Sequence, residues 1–104
     1  MITVKLGNLI TEASDFDAIM HGCNCFHDDD SGIAAQVWDK FPVARAMSVA
    51  DHDSGDFGAL GTYASCYEQI GRFTLINAYT QYSGGANFDI HAFIHILKQV
   101  NEDF

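Results

Sequence analysis

The alternation of apolar and polar side chains divides the chain into short strands and helices. Residues 2–6 alternate, with β-branched side chains at three of five positions, and predict a strand that Gly7 and Asn8 end. Residues 17–23 are more continuously apolar through Ala18, Ile19 and Met20, as in a strand covered on both faces. From Ser31 the period changes. Ile33, Val37, Trp38 and Phe41 share a helical face, and Pro42 ends or redirects that helix, or opens a short second one over residues 43–49.

A polar, turn-rich loop covers residues 51–58. Strands are predicted at 61–67 and 73–79, and their short connection at Gln69-Ile70-Gly71 requires an antiparallel hairpin. After a glycine-rich loop at 82–86, Asn87 or Asp89 caps a last helix whose inward stripe reads Ile90, Phe93, Ile94, Leu97 and Val100. The order is β β α (α) β β α. It predicts one α/β domain over residues 1–104, a small mixed sheet flanked by helices.

Composition narrows the partners. The 104 residues are 48% hydrophobic and 12% aromatic, enough to build a core without disulfides or metal. Fourteen acidic residues against five basic ones give a net charge of −9. Nucleic-acid phosphates and anionic membranes would be repelled, whereas the basic surface of a protein or nucleoprotein complex would be attracted. Cys23, Cys25 and Cys66 read as reduced thiols of a cytosolic protein. No signal peptide or long apolar span is evident, so the expected location is cytoplasmic, in the host cell if the gene is a phage's.

Several groupings carry candidate chemistry. Asp28, Asp29 and Asp30 precede a helix, where carboxylates favour the dipole and Asp30 or Ser31 supplies a cap. A cation site or an acidic contact surface are the other readings of this triplet. His21, Cys23, Cys25 and His27 alternate as if along one strand face. Structural zinc instead favours cysteine pairs two residues apart on a turn, so the array reads as core, with hydrogen-bonded histidines and no metal. His91 and His95 fall on a solvated helix face. No base is placed beside a cysteine or serine, and neither a Walker loop nor GxGxxG occurs. Tyr79, Thr80, Gln81 and Tyr82 follow a strand and open a glycine loop, a plausible site edge or an amphipathic rim. No cofactor is assigned.

Gly7-Asn8-Leu9, His21-Gly22-Cys23-Asn24-Cys25, Ser31-Gly32-Ile33-Ala34, Phe41-Pro42, Leu60-Gly61 and Asn77-Ala78-Tyr79-Thr80-Gln81-Tyr82 together resemble a macrodomain. The branch is that of ADP-ribose-1''-phosphate phosphatases and phage-borne relatives. The resemblance implies that Asn24 contacts the distal ribose, that Ser31, Gly32, Ile33 and Ala34 cradle a phosphate, and that Asn8 and Leu9 approach adenine.

Two departures shape the expectation. The glycine-rich loop of the family is here bulkier and carries three aspartates. The family also continues past the helix ending near Phe104 with further central strands and a second phosphate loop. The strand at 2–6 is therefore expected to pair directly with that at 17–23, with a homodimer as the alternative.

The function expected first is a non-catalytic, acidic protein-binding module. It would act as a phage inhibitor of a host defence complex, anti-CRISPR-like, through Asp28, Asp29, Asp30, Asp51, Asp53 and Asp56. The alternative is an ADP-ribose binder, ADP-ribose-1''-phosphate phosphatase or ADP-ribosyl hydrolase, with Asn24 orienting the ribose and His21 or His27 as acid/base.

Overall fold

Phe73–Tyr79, with aromatic and aliphatic side chains at nearly every position, occupies the middle of the sheet, where both faces are covered. The structure, a computed structural model, describes residues 16–28, 32–84 and 87–103. Its elements are β1 (Ala18–Cys23), α1 (Gly32–Lys40), α2 (Val43–Asp51), a 3₁₀ turn at Phe57–Ala59, β2 (Tyr63–Glu68), β3 (Phe73–Tyr79) and α3 (Ile90–Asp103). The described strands form one mixed sheet in the order β1-β3-β2, an α/β fold. The strand predicted at 2–6, and hence its pairing, lies outside the described residues.

β1 runs parallel to β3, from Ala18 opposite Thr74 to Cys23 opposite Tyr79. β2 is antiparallel to β3 as the short hairpin requires, with Glu68 opposite Phe73. Because side chains alternate across a strand, β1 and β3 each serve two layers. On one face Ile19, Cys23, Phe73, Leu75 and Tyr79 pack with Val37 and Trp38 of α1 and Ala44 of α2. On the other, Ile76 and Ala78 meet Ile96 and Val100 of α3. Phe73, Leu75 and Ile96 have no exposed surface. Burying an aliphatic or aromatic side chain of this size contributes about 1.5–3 kcal/mol.

The end of α2 differs from the pattern. α2 runs on to Asp51, so this carboxylate ends a helix instead of opening a loop. A negative charge there opposes the helix dipole, and the Asp51 carboxylate accepts a hydrogen bond from His52 Nδ1 at 2.9 Å. β1 stops at Cys23, which leaves Cys25 and His27 in the following turn and off the strand face that His21 and Cys23 share.

α3 is rotated from its expected face. Ala92, Ile96 and Val100 are buried, while Ile90 and Ile94 are 52% and 43% exposed. The small Ala92 is the reason. Gly61 turns the chain into β2 with φ +85°, and a Cβ on it would lie 3.8 Å from the Ala92 Cβ. A larger residue at 92 would hold the helix off that turn. Asp89, of the two candidate caps, accepts from His91 N at 2.9 Å and Ala92 N at 3.1 Å.

Candidate functional site

β1 and β3 are adjacent and parallel, but the helices that follow them depart to opposite faces. α1 packs on the face of Ile19 and Leu75, and α3 on that of Ile76 and Ala78. Chain leaving two parallel neighbours in opposite directions opens a crevice at their carboxyl ends, the usual ligand position in open α/β sheets. Here that edge is formed by Asn24 to Asp28 after β1 and Thr80 to Gly84 after β3. Thr80 N donates to the Cys23 carbonyl (3.2 Å) and Cys25 N to that of Tyr82 (3.0 Å), so the two loops hold together.

The Asn24 loop is shaped from beneath. Asn24, 1% exposed, accepts from Phe26 N at 2.9 Å, a side-chain turn that brings the chain round. His27 then takes a left-handed backbone conformation with φ 60°. Its ring explains how a bulky residue is held there. Nε2 donates to the His52 carbonyl (2.8 Å), which leaves Nδ1 to accept from the Ser48 hydroxyl (2.7 Å). Tyr79 donates to the same Ser48 Oγ at 3.1 Å. Burial pushes the Tyr79 phenol up to about 12, against the smaller opposing pull of that Ser48 bond. Both ring nitrogens of His27 are thus committed to protein partners.

His21 projects to the same face and is 4% exposed. Its Nε2 donates to Asn77 Oδ1 at 2.6 Å, and Asn77 Nδ2 donates to the Ala44 carbonyl at 2.7 Å. One hydrogen-bonded path therefore ties β1, β3 and α2. Desolvation holds the His21 ring down at about 4, with the Asn77 bond pulling weakly the other way. The Cys23 thiol lies 3.7 Å from this ring. Cys23 and Cys25 are buried, and Cys66 is half-buried.

A second loop packs against the first. Gly55 N donates to the Cys25 carbonyl (2.9 Å), Ser54 Oγ to that of Phe26 (3.0 Å), and Tyr82 OH to that of Gly55 (2.7 Å). The rings of His27 and His52 lie 4.4 Å apart. These contacts set the segment carrying Asp28 against the loop carrying Asp53 and Asp56; these three and Asp51 are exposed. Asp56 also accepts from Gly58 N to cap the 3₁₀ turn.

Of the other residues singled out from sequence, Gly32 and Ile33 open α1 and Ala34 is buried in it. Asn8, Leu9, Asp29, Asp30 and Ser31 lie outside the described residues. Ser48 and His52 were not singled out, and Asn77 appeared only within the segment that carries the resemblance. Asn77 carried a signal, an amide within an otherwise apolar strand, which burial obliges to find partners. Ser48 lies one turn from Ala44 on the buried side of α2, a weaker version of the same signal. Among the described residues, no helix is long and apolar enough to cross a membrane.

Fold and site define a small α/β protein with a mixed sheet and a crevice at the carboxyl ends of two parallel strands. No protein-family model matches the chain. It is similar to a protein of Enterobacteria phage T4, named an uncharacterized 17.5 kDa protein in the tk-vs intergenic region, with 34% identity over 99 residues. The match covers 92% of this chain, which spans 63% of the length of that phage relative.

Proposed function

We propose that the chain binds a ribose-phosphate ligand of the ADP-ribose type at the carboxyl ends of β1 and β3, as a macrodomain-like module. The observation that carries this reading is the divergence of α1 and α3 from two parallel neighbouring strands, with the Asn24 loop in the crevice. Gly32 at the start of α1 supports it, since the amide groups of a helix N-terminus favour phosphate. Of the segments that resemble macrodomain motifs, Asn24-Cys25 and Thr80-Gln81-Tyr82 lie on this edge. Neither His21 nor His27 offers a ring nitrogen unengaged by protein as acid/base, so the reading is of binding rather than turnover.

Calorimetry with ADP-ribose tests it. Micromolar binding is expected, weakened at least about tenfold by Asn24→Ala. Because Asn24 is buried, Asp28→Asn serves as a second variant. Removing a carboxylate beside a diphosphate tightens binding if the loop holds phosphate. No heat of binding with the unsubstituted chain, or an Asp28→Asn variant that binds more weakly, overturns the proposal.

A second reading has its own observation, the packing that sets Asp28 beside the loop carrying Asp53. It is an acidic face for a basic protein partner, as in an inhibitor of a defence complex. Asp51 and Asp56 have structural contacts, so Asp28 and Asp53 are the residues to reverse. Asp28→Lys with Asp53→Lys is expected to lower affinity for poly-L-lysine and flatten its salt dependence. An unchanged salt slope excludes this face.

A further inference from the structure

Among the described residues, β2 lies at one edge of the sheet and is paired on one side only, to β3. The ladder shows which of its backbone groups face away. Tyr79 N donates to the Thr62 carbonyl at 3.0 Å, so Thr62 turns its hydrogen-bonding groups towards β3. That direction alternates along an antiparallel strand, and Ser65 and Tyr67 turn theirs outward. An open edge is a template for another strand, and soluble proteins blunt it with lysine, proline or a bulge. Residues 63–68 hold neither lysine nor proline, and their register runs unbroken from Tyr63 opposite Ala78 to Glu68 opposite Phe73. Apolar surface collects beside the edge. Tyr67 is 58% exposed, and Ile70 in the hairpin loop is 95% exposed.

The edge is complementary to itself. Tyr63 packs with Ile76, Ala78 and Ile96 on the α3 face of the sheet, and alternation puts Ser65 and Tyr67 on that face too. An antiparallel copy related by a two-fold axis through Ser65 sets the two Ser65 residues opposite each other. Each Tyr67 ring then faces the Tyr63 ring of the other copy, an aromatic cross-strand pair that strengthens a sheet. On the other face Ala64 meets Cys66. The charges fit as well. Two chains of net charge −9 repel, but residues 63–68 hold one carboxylate, Glu68, and it accepts from Gly71 N. Arg72 is exposed at the hairpin end of this edge, and Asp103, which accepts from the Tyr63 hydroxyl, at the opposite end. The two-fold brings these unlike ends together.

We infer that β2 pairs with β2 of a second copy of this chain, antiparallel and centred on Ser65, so that one sheet runs through a two-fold homodimer. The order of the described strands becomes β1-β3-β2-β2-β3-β1. The seam lies across β3 from β1, so it leaves the crevice between β1 and β3 open and is independent of what that crevice binds.

Sedimentation of the whole chain tests this pairing. A species of twice the monomer mass is expected, with a dissociation constant on the order of 10–100 μM, as fits an interface below the standard size. Ser65→Lys puts two ammonium groups face to face at a position exposed in the monomer, and should abolish the dimer with an unchanged melting temperature. Tyr67→Ala should weaken association about tenfold. Ser65→Cys should join two copies by a disulfide on mild oxidation, because opposite residues of a hydrogen-bonded pair hold their Cα atoms about 5.5 Å apart. Cys66, opposite Ala64 in this register, should not crosslink in the unsubstituted chain. Ile94→Lys, on the exposed side of α3, should leave the dimer intact. A chain monomeric at about 500 μM, a Ser65→Lys variant that still dimerises, crosslinking through Cys66, or loss of the dimer in Ile94→Lys each overturns the proposal.

Discussion

Replacing Asn77 with alanine is expected to destabilise the fold by about 3–5 kcal/mol, read as a lowered urea midpoint with little change in slope. Asn77 is fully buried at the centre of β3. It accepts from His21 on β1 and donates to the Ala44 carbonyl on α2. The substitution leaves a ring N–H and a carbonyl unpaired where water does not reach. Each such group costs about 1–3 kcal/mol, and the deleted amide leaves a void besides. A single unfolding domain of this size holds on the order of 5–15 kcal/mol, so the loss is a large fraction of the whole. A midpoint shift worth less than about 1 kcal/mol would mean that the amide is not structurally required.

The second large effect is acid destabilisation through His21. Its ring protonates at an ordinary value of 6.5 when unfolded and at about 4 when folded, because burial disfavours the imidazolium. The unfolded state therefore takes up the proton first, and stability falls as pH drops from 6.5 towards 4. The gap amounts to about 3 kcal/mol lost at pH 4 relative to pH 7. Other groups titrate in the same range, so the comparison is between proteins. His21→Gln keeps a donor for Asn77 and has no proton to gain. Its stability difference between pH 7 and pH 4 should be smaller by about 3 kcal/mol. Equal differences in the two proteins would show that His21 stays neutral in both states or is not buried in solution.

The two effects share one contact, and Asn77→Asp separates them. A carboxylate at this position would favour the protonated ring and raise the His21 value, so the His21 contribution to acid destabilisation should shrink. The price is a buried charge and a lost donor to Ala44, and the variant should be less stable at pH 7. Additive losses in the Asn77→Ala/His21→Gln double variant would place the two residues in separate environments.

Much of the fold was legible along the chain. The apolar run to Cys23, the hairpin across Gln69 to Arg72, the helix entered at Pro42 and the helix capped at Asp89 each follow from neighbours within a few positions. Local sterics, proline's fixed φ and side-chain capping act at that range. The α3 stripe is the instructive exception. Ile90, Phe93 and Ile94 are as apolar as Ala92, Ile96 and Val100, and periodicity alone fits both sectors. The close approach of Gly61 to Ala92 chooses between them, across 31 positions of sequence.

The site was less legible. Asn24 and the start of α1 were visible as a strand, loop and helix. The roles of His21 and His27 were not, because their partners lie far away, 56 residues for Asn77 and 21 for Ser48. Thr80 and Gln81 were legible as an edge, polar residues that follow a strand into a glycine loop.

By itself, the sequence determined the class of fold, the acidic charge, and which segments pair or coil, all properties set by composition and short-range sterics. Tertiary structure alone decided which helix face is buried, which histidines are locked, and how Asp28 comes to stand beside the loop carrying Asp53. Those outcomes depend on contacts between residues whose separation along the chain carries no information about their distance in space.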